Sequence, residues 1–420
     1  MLPDTSGEGH MTSILAWLDH DTKARERTLR ILNLFQERES RDELGLGVIR
    51  DSFTDQLFPG TSTIQTRLRY MLFVPWMYRD LERKNVPAKD FARQAEEHEK
   101  ALIVVLKAAR QTGIIGKLAG SALKRLPASI YWNGLGVWGI RLTRLSQEEY
   151  HQRIDALLAQ RRALADRARA ARERGDDADA VRDQAATWHP CLPAPPPDFP
   201  KVASFALTGE EAAFLRDRIR ESCPHSLLAH LAEKVHDIDV AAPWELSGYG
   251  DFPVQHKELL HHARLFSELM HGAALLYNVQ LAELSGARTL EEHRQALMTW
   301  GKALPLHELR HWSLERLREL VDSPGHRVSP HTHDFVRKWR SLVLDAKQAD
   351  LLDNKAAREL IRQRECFVKR GQSRFANRRA LEQWRGRSGT GRLRYRWATA
   401  RDLLNDLYQG LDRRGKHAGS

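Results

Sequence analysis

The sequence predicts a mainly α protein, built as multi-helix domains with a few short strands. Three observations carry this expectation. Apolar residues recur at three- and four-residue intervals over most of the chain. Two Ser/Thr-x-x-Glu capping boxes, Ser146 with Glu149 and Thr208 with Glu211, stand before long charged and apolar stretches. Glycine and proline clusters separate those stretches and do not fill them. With 420 residues, 42% of them hydrophobic, the chain can bury two or three cores.

Taken in order, Ile14, Leu15, Trp17, Leu18, Leu29, Ile31, Leu32, Leu34 and Phe35 place a helix or helix pair between Ser13 and Gln36. After the Phe58-Pro59-Gly60 turn, TIQTRLRYMLFVPWMYRDLERK resumes a helical pattern that Pro75 is expected to kink or interrupt. Its spacing sends Leu68, Met71, Leu72 and Trp76 to the core and leaves Arg67, Arg69 and Arg79 for the rim. Thr61, Ser62 and Thr63 stand where hydroxyls would cap that helix or receive a phosphate. A further helix spans roughly Ala88 to Gln111 and stops near Gly113. IYWNGLGVWGIRLTRL, residues 130–145, reads as a packed turn, and the Ser146 capping box opens a helix that continues to about Arg174.

CLPAPPPDFP, residues 191–200, cannot continue a helix or enter a central strand. The expected organisation is therefore a helical domain over residues 11–188, a proline-rich linker over 189–202, a second helical domain over 203–345 and a basic module over 346–416. KVASFAL predicts one short strand and GRLRYRW another, the latter followed by a terminal helix. No stretch approaches the roughly 20 apolar residues of a membrane span, and the N-terminus shows no signal or transit pattern. Cys191, Cys223 and Cys366 are far apart with no CxxC spacing, which fits a reducing, cytoplasmic setting.

Charge gives the first functional signal. Residues 358–416 hold 17 Lys and Arg against 6 Asp and Glu, a balance of +11, which is the whole net charge of the chain. An excess confined to one segment is the footprint expected for a polyanion. There Arg374, Arg378, Arg379, Arg385, Arg387, Arg392, Arg394 and Arg396 are interleaved with Phe375, Trp384, Tyr395 and Trp397. Guanidinium groups suit phosphates and flat rings can stack on bases. As a strand, RLRYRW would turn Arg392, Arg394 and Arg396 to one face and Leu393, Tyr395 and Trp397 to the other, as in the wing of a winged-helix-like module. A solvated or protein-binding basic surface is the alternative.

Other motifs are weaker. His307-Glu308-Leu309-Arg310-His311 matches the HExxH spacing, in which two imidazoles one helical turn apart hold zinc and the glutamate activates a bound water. Among 19 histidines a chance match is unsurprising, and Leu314 and Leu317 replace the residues that would extend the motif. Glu315, Glu319, His326, His331 and His333 are the candidates for a third ligand, and none sits in a recognisable pattern. QTGIIGKLAG, residues 111–120, fails as a phosphate loop because Gln111 replaces its first glycine and Leu118 its Ser or Thr. His225, His261, His262 and His271 read as packing or solvated residues, and Cys223 as a small buried hydrophobe. No cofactor is expected.

Three blocks, DELGLGVIRDSFTDQLFPGTSTIQTRLRYMLFVPWMYRDLE, SIYWNGLGVWGIR and GRLRYRWATARDLLNDLYQGL, resemble a bacterial family of unknown function encountered near helicase and phospholipase-D-like nuclease genes in antiphage defence islands. The similarity runs roughly from Ser13 to Leu411. The resemblance implies a subunit of a multi-protein defence complex that handles DNA beside a helicase or nuclease partner, and it assigns no catalytic residue. Three readings follow: a non-enzymatic DNA-binding or scaffolding subunit, a zinc-dependent hydrolase using His307, Glu308 and His311, and a purely protein-binding adaptor.

Overall fold

The structure, a computed structural model, describes residues 42–116, 125–173, 186–323, 325–346 and 351–418. The helix expected between Ser13 and Gln36 lies outside the described residues, as does the part of the phosphate-loop-like stretch from Lys117 onward. Fifteen α-helices make up the described fold. In chain order they are α1 (Gly47–Leu57), α2 (Tyr70–Arg83), α3 (Ala88–Ala108), α4 (Pro127–Val137) and α5 (Gln147–Glu173). Then come α6 (Gly209–Ser222), α7 (Leu227–Glu233), α8 (Val254–Ser285), α9 (Leu290–Ala303) and α10 (Leu306–His311). The last five are α11 (Leu314–Val321), α12 (Pro330–Asp345), α13 (Lys355–Lys369), α14 (Arg378–Glu382) and α15 (Trp397–Ala418). No helix among the described residues is long and apolar enough to cross a membrane.

The mainly α expectation holds, but the few short strands do not appear. The described residues contain only two isolated bridges, Arg141 with Trp188 and Ser323 with His326. KVASFAL alternates buried Ala203, Phe205 and Leu207 with more exposed neighbours, as a strand would, yet pairs with nothing. GRLRYRW cannot be a strand, because Tyr395 and Arg396 adopt left-handed φ angles of 50° and 61°. They turn the chain into α15 and leave no wing beside the helices.

The 32-residue α8 is the central post. Its apolar residues surround it instead of forming one stripe, which is the pattern of a helix buried on all sides. It packs against α9, α13, α1 and α12. Gly272 sits where Trp300 of α9 crosses, and an added methyl would lie 2.2 Å from Trp300 Cη2. The indole cannot step aside, because its Nε1 donates to Glu268 O at 2.7 Å. Gly272→Ala is expected to cost about 1–3 kcal/mol, seen as a lower urea midpoint with an unchanged m-value.

Around α2 a second aromatic body forms from Tyr78, Phe91, Trp132, Tyr150 and Trp188. The helix runs through Pro75 without a break, so of the expected kink or interruption the interruption does not occur. Leu68, Met71, Leu72 and Trp76 are buried as read. The rim expectation for the arginines is corrected at two of three positions. Arg69 is buried and binds Glu211 at 2.6 Å and Ser204 O at 2.9 Å. Arg67 forks onto both carboxylate oxygens of Asp406 of α15, and Oδ2 also accepts the Leu68 N–H at 2.8 Å. Only Arg79 is on the rim. Thr61 Oγ1 donates to Phe58 O at 2.6 Å, so it closes the preceding turn and does not cap α2.

Both capping boxes are present at α5 and α6. Residues 130–145 are helical up to Val137, where a turn was expected. The proline-rich segment has no helix and closes in turns over residues 197–200, and it lies against α2: Trp76 Nε1 donates to Pro193 O at 2.7 Å, and Phe199 stacks on Phe73 at 5.5 Å. Residues from all the segments distinguished above enter one buried cluster that runs from Leu44 to Tyr408.

Candidate nucleic-acid interface

The basic segment begins within α13, on whose later turns Glu365 is fully buried. Its carboxylate accepts Ser373 Oγ at 2.5 Å and the Arg374 N–H at 2.7 Å. Arg374 in turn donates to Tyr277 OH and pairs with Glu43, both at 2.9 Å. Arg374 therefore belongs to the scaffold. Asn377 then accepts the N–H groups of Arg379 and Ala380 and so starts the short α14.

The loop from Trp384 to Arg396 is fastened through its own backbone. His293 Nε2 meets Gly386 O at 2.7 Å, Asn278 exchanges two hydrogen bonds with Ser388, and His271 Nε2 meets Thr390 O at 3.0 Å. Each imidazole must be protonated on Nε2 to make its bond, and burial holds His271 below its ordinary pKa. His271 thus acts in packing, as the sequence suggested. The effect is a loop whose path is set by α8 and α9 while Arg385 and Arg387 remain exposed.

The eight arginines divide into two groups. Arg392 pairs with Glu268 at 2.9 Å, and Arg396 pairs with Asp55 at 3.0 Å while donating to Thr61 O at 2.6 Å. With Arg374 they join distant parts of the chain. Arg387 pairs with Glu292 of α9, both side chains being more than half exposed, and such a pair is worth little in water. Arg378 is 92% exposed and meets only Glu382, one turn away. Arg379, Arg385 and Arg394 are exposed and take part in none of the ion pairs among the described residues.

The aromatic residues do not face a ligand. Tyr395 is buried against Phe53 and donates to Ala263 O at 2.7 Å, and Trp397 is buried with Nε1 on Val240 O at 2.9 Å. Trp384 is buried beside His293, and Phe375 packs on Tyr277. Base stacking is therefore corrected to core packing for Trp384, Tyr395 and Trp397, while Phe375 is partly buried. Burying a large ring in the hydrophobic cluster outweighs presenting it to water.

HELRH forms α10, a single exposed helix of six residues whose buried member is Leu309. The rings of His307 and His311 are 4.6 Å apart, and His311 Nδ1 lies 2.9 Å from His307 O. Glu308 is held by the guanidinium of Arg264 on α8. Of the third-ligand candidates, Glu319 pairs with Arg316, His326 with Asp55, and His331 lies against Phe367. No group of three or more His, Cys, Asp or Glu side chains among the described residues is arranged to hold a metal. His262 accepts Trp312 Nε1 at 2.9 Å, and burial lowers its pKa to about 4. Burial likewise pushes the Cys223 thiol up to about 11.

One feature gave no motif in the sequence. A cleft of about 790 Å³ opens between the C-terminal end of α2, α5 and the proline-rich segment. Trp76, Met77, Leu192 and Phe199 supply apolar wall, and Arg79, Arg83, Lys84 and Arg161 supply cations. These residues come from three separated stretches, so only the fold assembles them.

Compared with protein-family profiles, residues 12–410 match a family of unknown function, DUF6361. The chain belongs to the DUF6361 family. No curated protein and no solved structure matches it. For this DUF6361 chain the chemistry must therefore be argued from its own side chains: a helical scaffold, an exposed set of arginines in the segment that carries the net charge, and a cleft with mixed apolar and cationic walls.

Proposed function

We propose that this protein is a non-enzymatic DNA-binding or scaffolding subunit that meets phosphates through Arg378, Arg379, Arg385 and Arg394. The observation that carries the reading is the combination of charge and freedom. The entire net charge of +11 lies in residues 358–416, and these four arginines are exposed and form no ion pair with another element among the described residues. Phosphate contacts of this kind position a protein on DNA without reading bases. The buried state of Trp384, Tyr395 and Trp397 favours backbone binding over base stacking. The resemblance noted from the sequence supplies the setting: a bacterial antiphage complex with a helicase or nuclease partner. The zinc-hydrolase alternative would require Glu308 beside a metal-bound water, whereas Arg264 holds that carboxylate.

Fluorescence anisotropy with a mixed-sequence duplex tests the assignment. Alanine at Arg379, Arg385 and Arg394 together is expected to weaken binding at least tenfold with no change in urea stability, because none of the three supports the fold. Alanine at Arg392 and Arg396 has the opposite signature. It takes the guanidinium donor from Glu268 and from the Thr61 carbonyl, while Asp55 keeps His326, and lowers stability by about 1 kcal/mol per site. Undiminished binding by the triple variant would reject the interface. Co-purification of an acidic protein that survives nuclease treatment, with no DNA bound at low salt, would favour the adaptor reading instead.

A further inference from the structure

We propose that the cleft between α2, α5 and the proline-rich segment is a binding site for a nucleoside phosphate, separate from the C-terminal arginines. Its volume, about 790 Å³, is that of a small-molecule site. Its two kinds of wall match the two halves of such a ligand.

The cationic wall is the more specific. Arg79 is exposed into the cleft and enters none of the ion pairs among the described residues. Arg161 spends Nη2 on Glu82 and Thr187, at 2.8 Å and 2.6 Å, which fixes its guanidinium, while its buried Nε–H has no acceptor. An anchored guanidinium with a donor left over is suited to a phosphate oxygen. The two acids that line the cleft do not cancel this charge. Glu82 is buried and saturated by donors from Tyr150, Arg161, Thr187 and Trp188. Asp80 lies between Arg83 and Lys84, at 2.6 Å and 2.7 Å. Burial alone would raise its pKa, but the hydrogen bonds from Lys84 and Arg83 outweigh that and hold it below the ordinary carboxylate range. Counting Arg79, Arg83, Lys84 and Arg161 against Asp80 and Glu82, the lining carries a net positive charge.

The apolar wall contains a ring fixed from behind. Phe199 is stacked on Phe73 at an interplanar angle of 18° and set edge-on to Trp76, and it lines the cleft while only partly buried. Trp76 cannot rotate away, since its Nε1 is bonded to Pro193 O. A planar base can therefore lie on a pre-ordered aromatic surface while its phosphate meets Arg79 and Arg161. Pre-ordering lowers the entropy lost on binding.

Isothermal titration of the full-length protein with AMP, inorganic phosphate and adenosine tests the proposal. AMP is expected to bind at least tenfold more tightly than either fragment, since only AMP engages both walls. Arg79→Ala is expected to weaken AMP binding at least tenfold with unchanged urea stability, because Arg79 forms no ion pair or hydrogen bond among the described residues. Phe199→Leu keeps an apolar side chain beneath α2 and is expected to bring AMP affinity down toward that of phosphate. A 5′-phosphorylated trinucleotide that binds as tightly as AMP assigns the site to a strand end, and binding of AMP alone assigns it to a free nucleotide; either supports the site. Absence of AMP binding at millimolar concentration, full affinity in Arg79→Ala, or phosphate binding equal to that of AMP would overturn it. None of these outcomes depends on the C-terminal arginines, whose alanine variants are expected to bind AMP normally.

Discussion

Glu82→Ala is expected to destabilise the protein by about 3–5 kcal/mol, the range for removing one partner from a buried charged network. Glu82 is on the last turn of α2 and only 3% exposed. Its two oxygens accept Tyr150 OH, Arg161 Nη2 at 2.8 Å, Thr187 Oγ1 at 2.9 Å and Trp188 Nε1 at 2.7 Å. Those donors arrive from α5 and from the stretch that leads into the proline-rich segment. Truncation leaves Tyr150, Thr187 and Trp188, all buried, without their acceptor, and an unmet buried donor costs about 1–3 kcal/mol. Glu82→Gln is expected to fall between, because the amide keeps one acceptor oxygen but points an NH₂ at groups that are themselves donors. The urea midpoint measures both variants. A loss under 1 kcal/mol for Glu82→Ala would mean that the network does not hold α2 to α5.

The second large effect depends on pH. Glu99, in α3, is 1% exposed, and its Oε2 accepts the Ala128 N–H at 2.6 Å, at the start of α4. Burial raises its pKa to about 8, against the lowering effect of that hydrogen bond and with a small further rise from Glu96. In the unfolded chain the same carboxyl titrates near its ordinary value of 4.5. Between those two values the folded protein keeps a proton that the unfolded chain has lost. Stability is therefore fully present below about pH 4.5, falls as pH rises toward 8, and levels off above it, a change on the order of 5 kcal/mol. Glu99→Gln, which stays uncharged, removes this slope. The difference between Glu99→Gln and the parent protein should widen steadily between pH 5 and pH 8 in urea titrations. A difference constant across that interval would show that Glu99 is ionised in the folded protein.

Local signals in the sequence located the helices well. Ser146 with Glu149 and Thr208 with Glu211 marked the starts of α5 and α6 because a capping box is a short-range arrangement of side chain and backbone. Leu68, Met71, Leu72 and Trp76 were legible as core because they are apolar, but the helix is buried throughout Tyr70 to Tyr78 and not on one face alone. Arg67 and Arg69 were not legible, because their partners Asp406 and Glu211 lie far along the chain. An arginine with a distant carboxylate and one bound for solvent look alike in sequence. RLRYRW misled differently: its alternation is genuine, with Tyr395 and Trp397 buried and Arg394 exposed, but two left-handed residues produce it, not an extended strand.

The same distinction runs through the candidate interface. The charge excess was visible in composition, while the division of its arginines into structural Arg374, Arg392 and Arg396 and exposed Arg378, Arg379, Arg385 and Arg394 required Glu43, Glu268 and Asp55 to be in place. The cleft left no trace at all in the sequence. Its cations are ordinary helix-surface residues in Arg79, Arg83 and Arg161, and only the packing of the proline-rich segment on α2 turns them toward a shared space.

The salt dependence of DNA binding tests the central claim most directly. If Arg378, Arg379, Arg385 and Arg394 meet phosphates, the plot of log affinity against log salt concentration should have a slope of about −3 to −4 for a mixed-sequence duplex. With alanine at Arg379, Arg385 and Arg394 the slope should shrink toward about −1. A slope near zero for the parent protein, or one unchanged in the triple variant, would contradict the account.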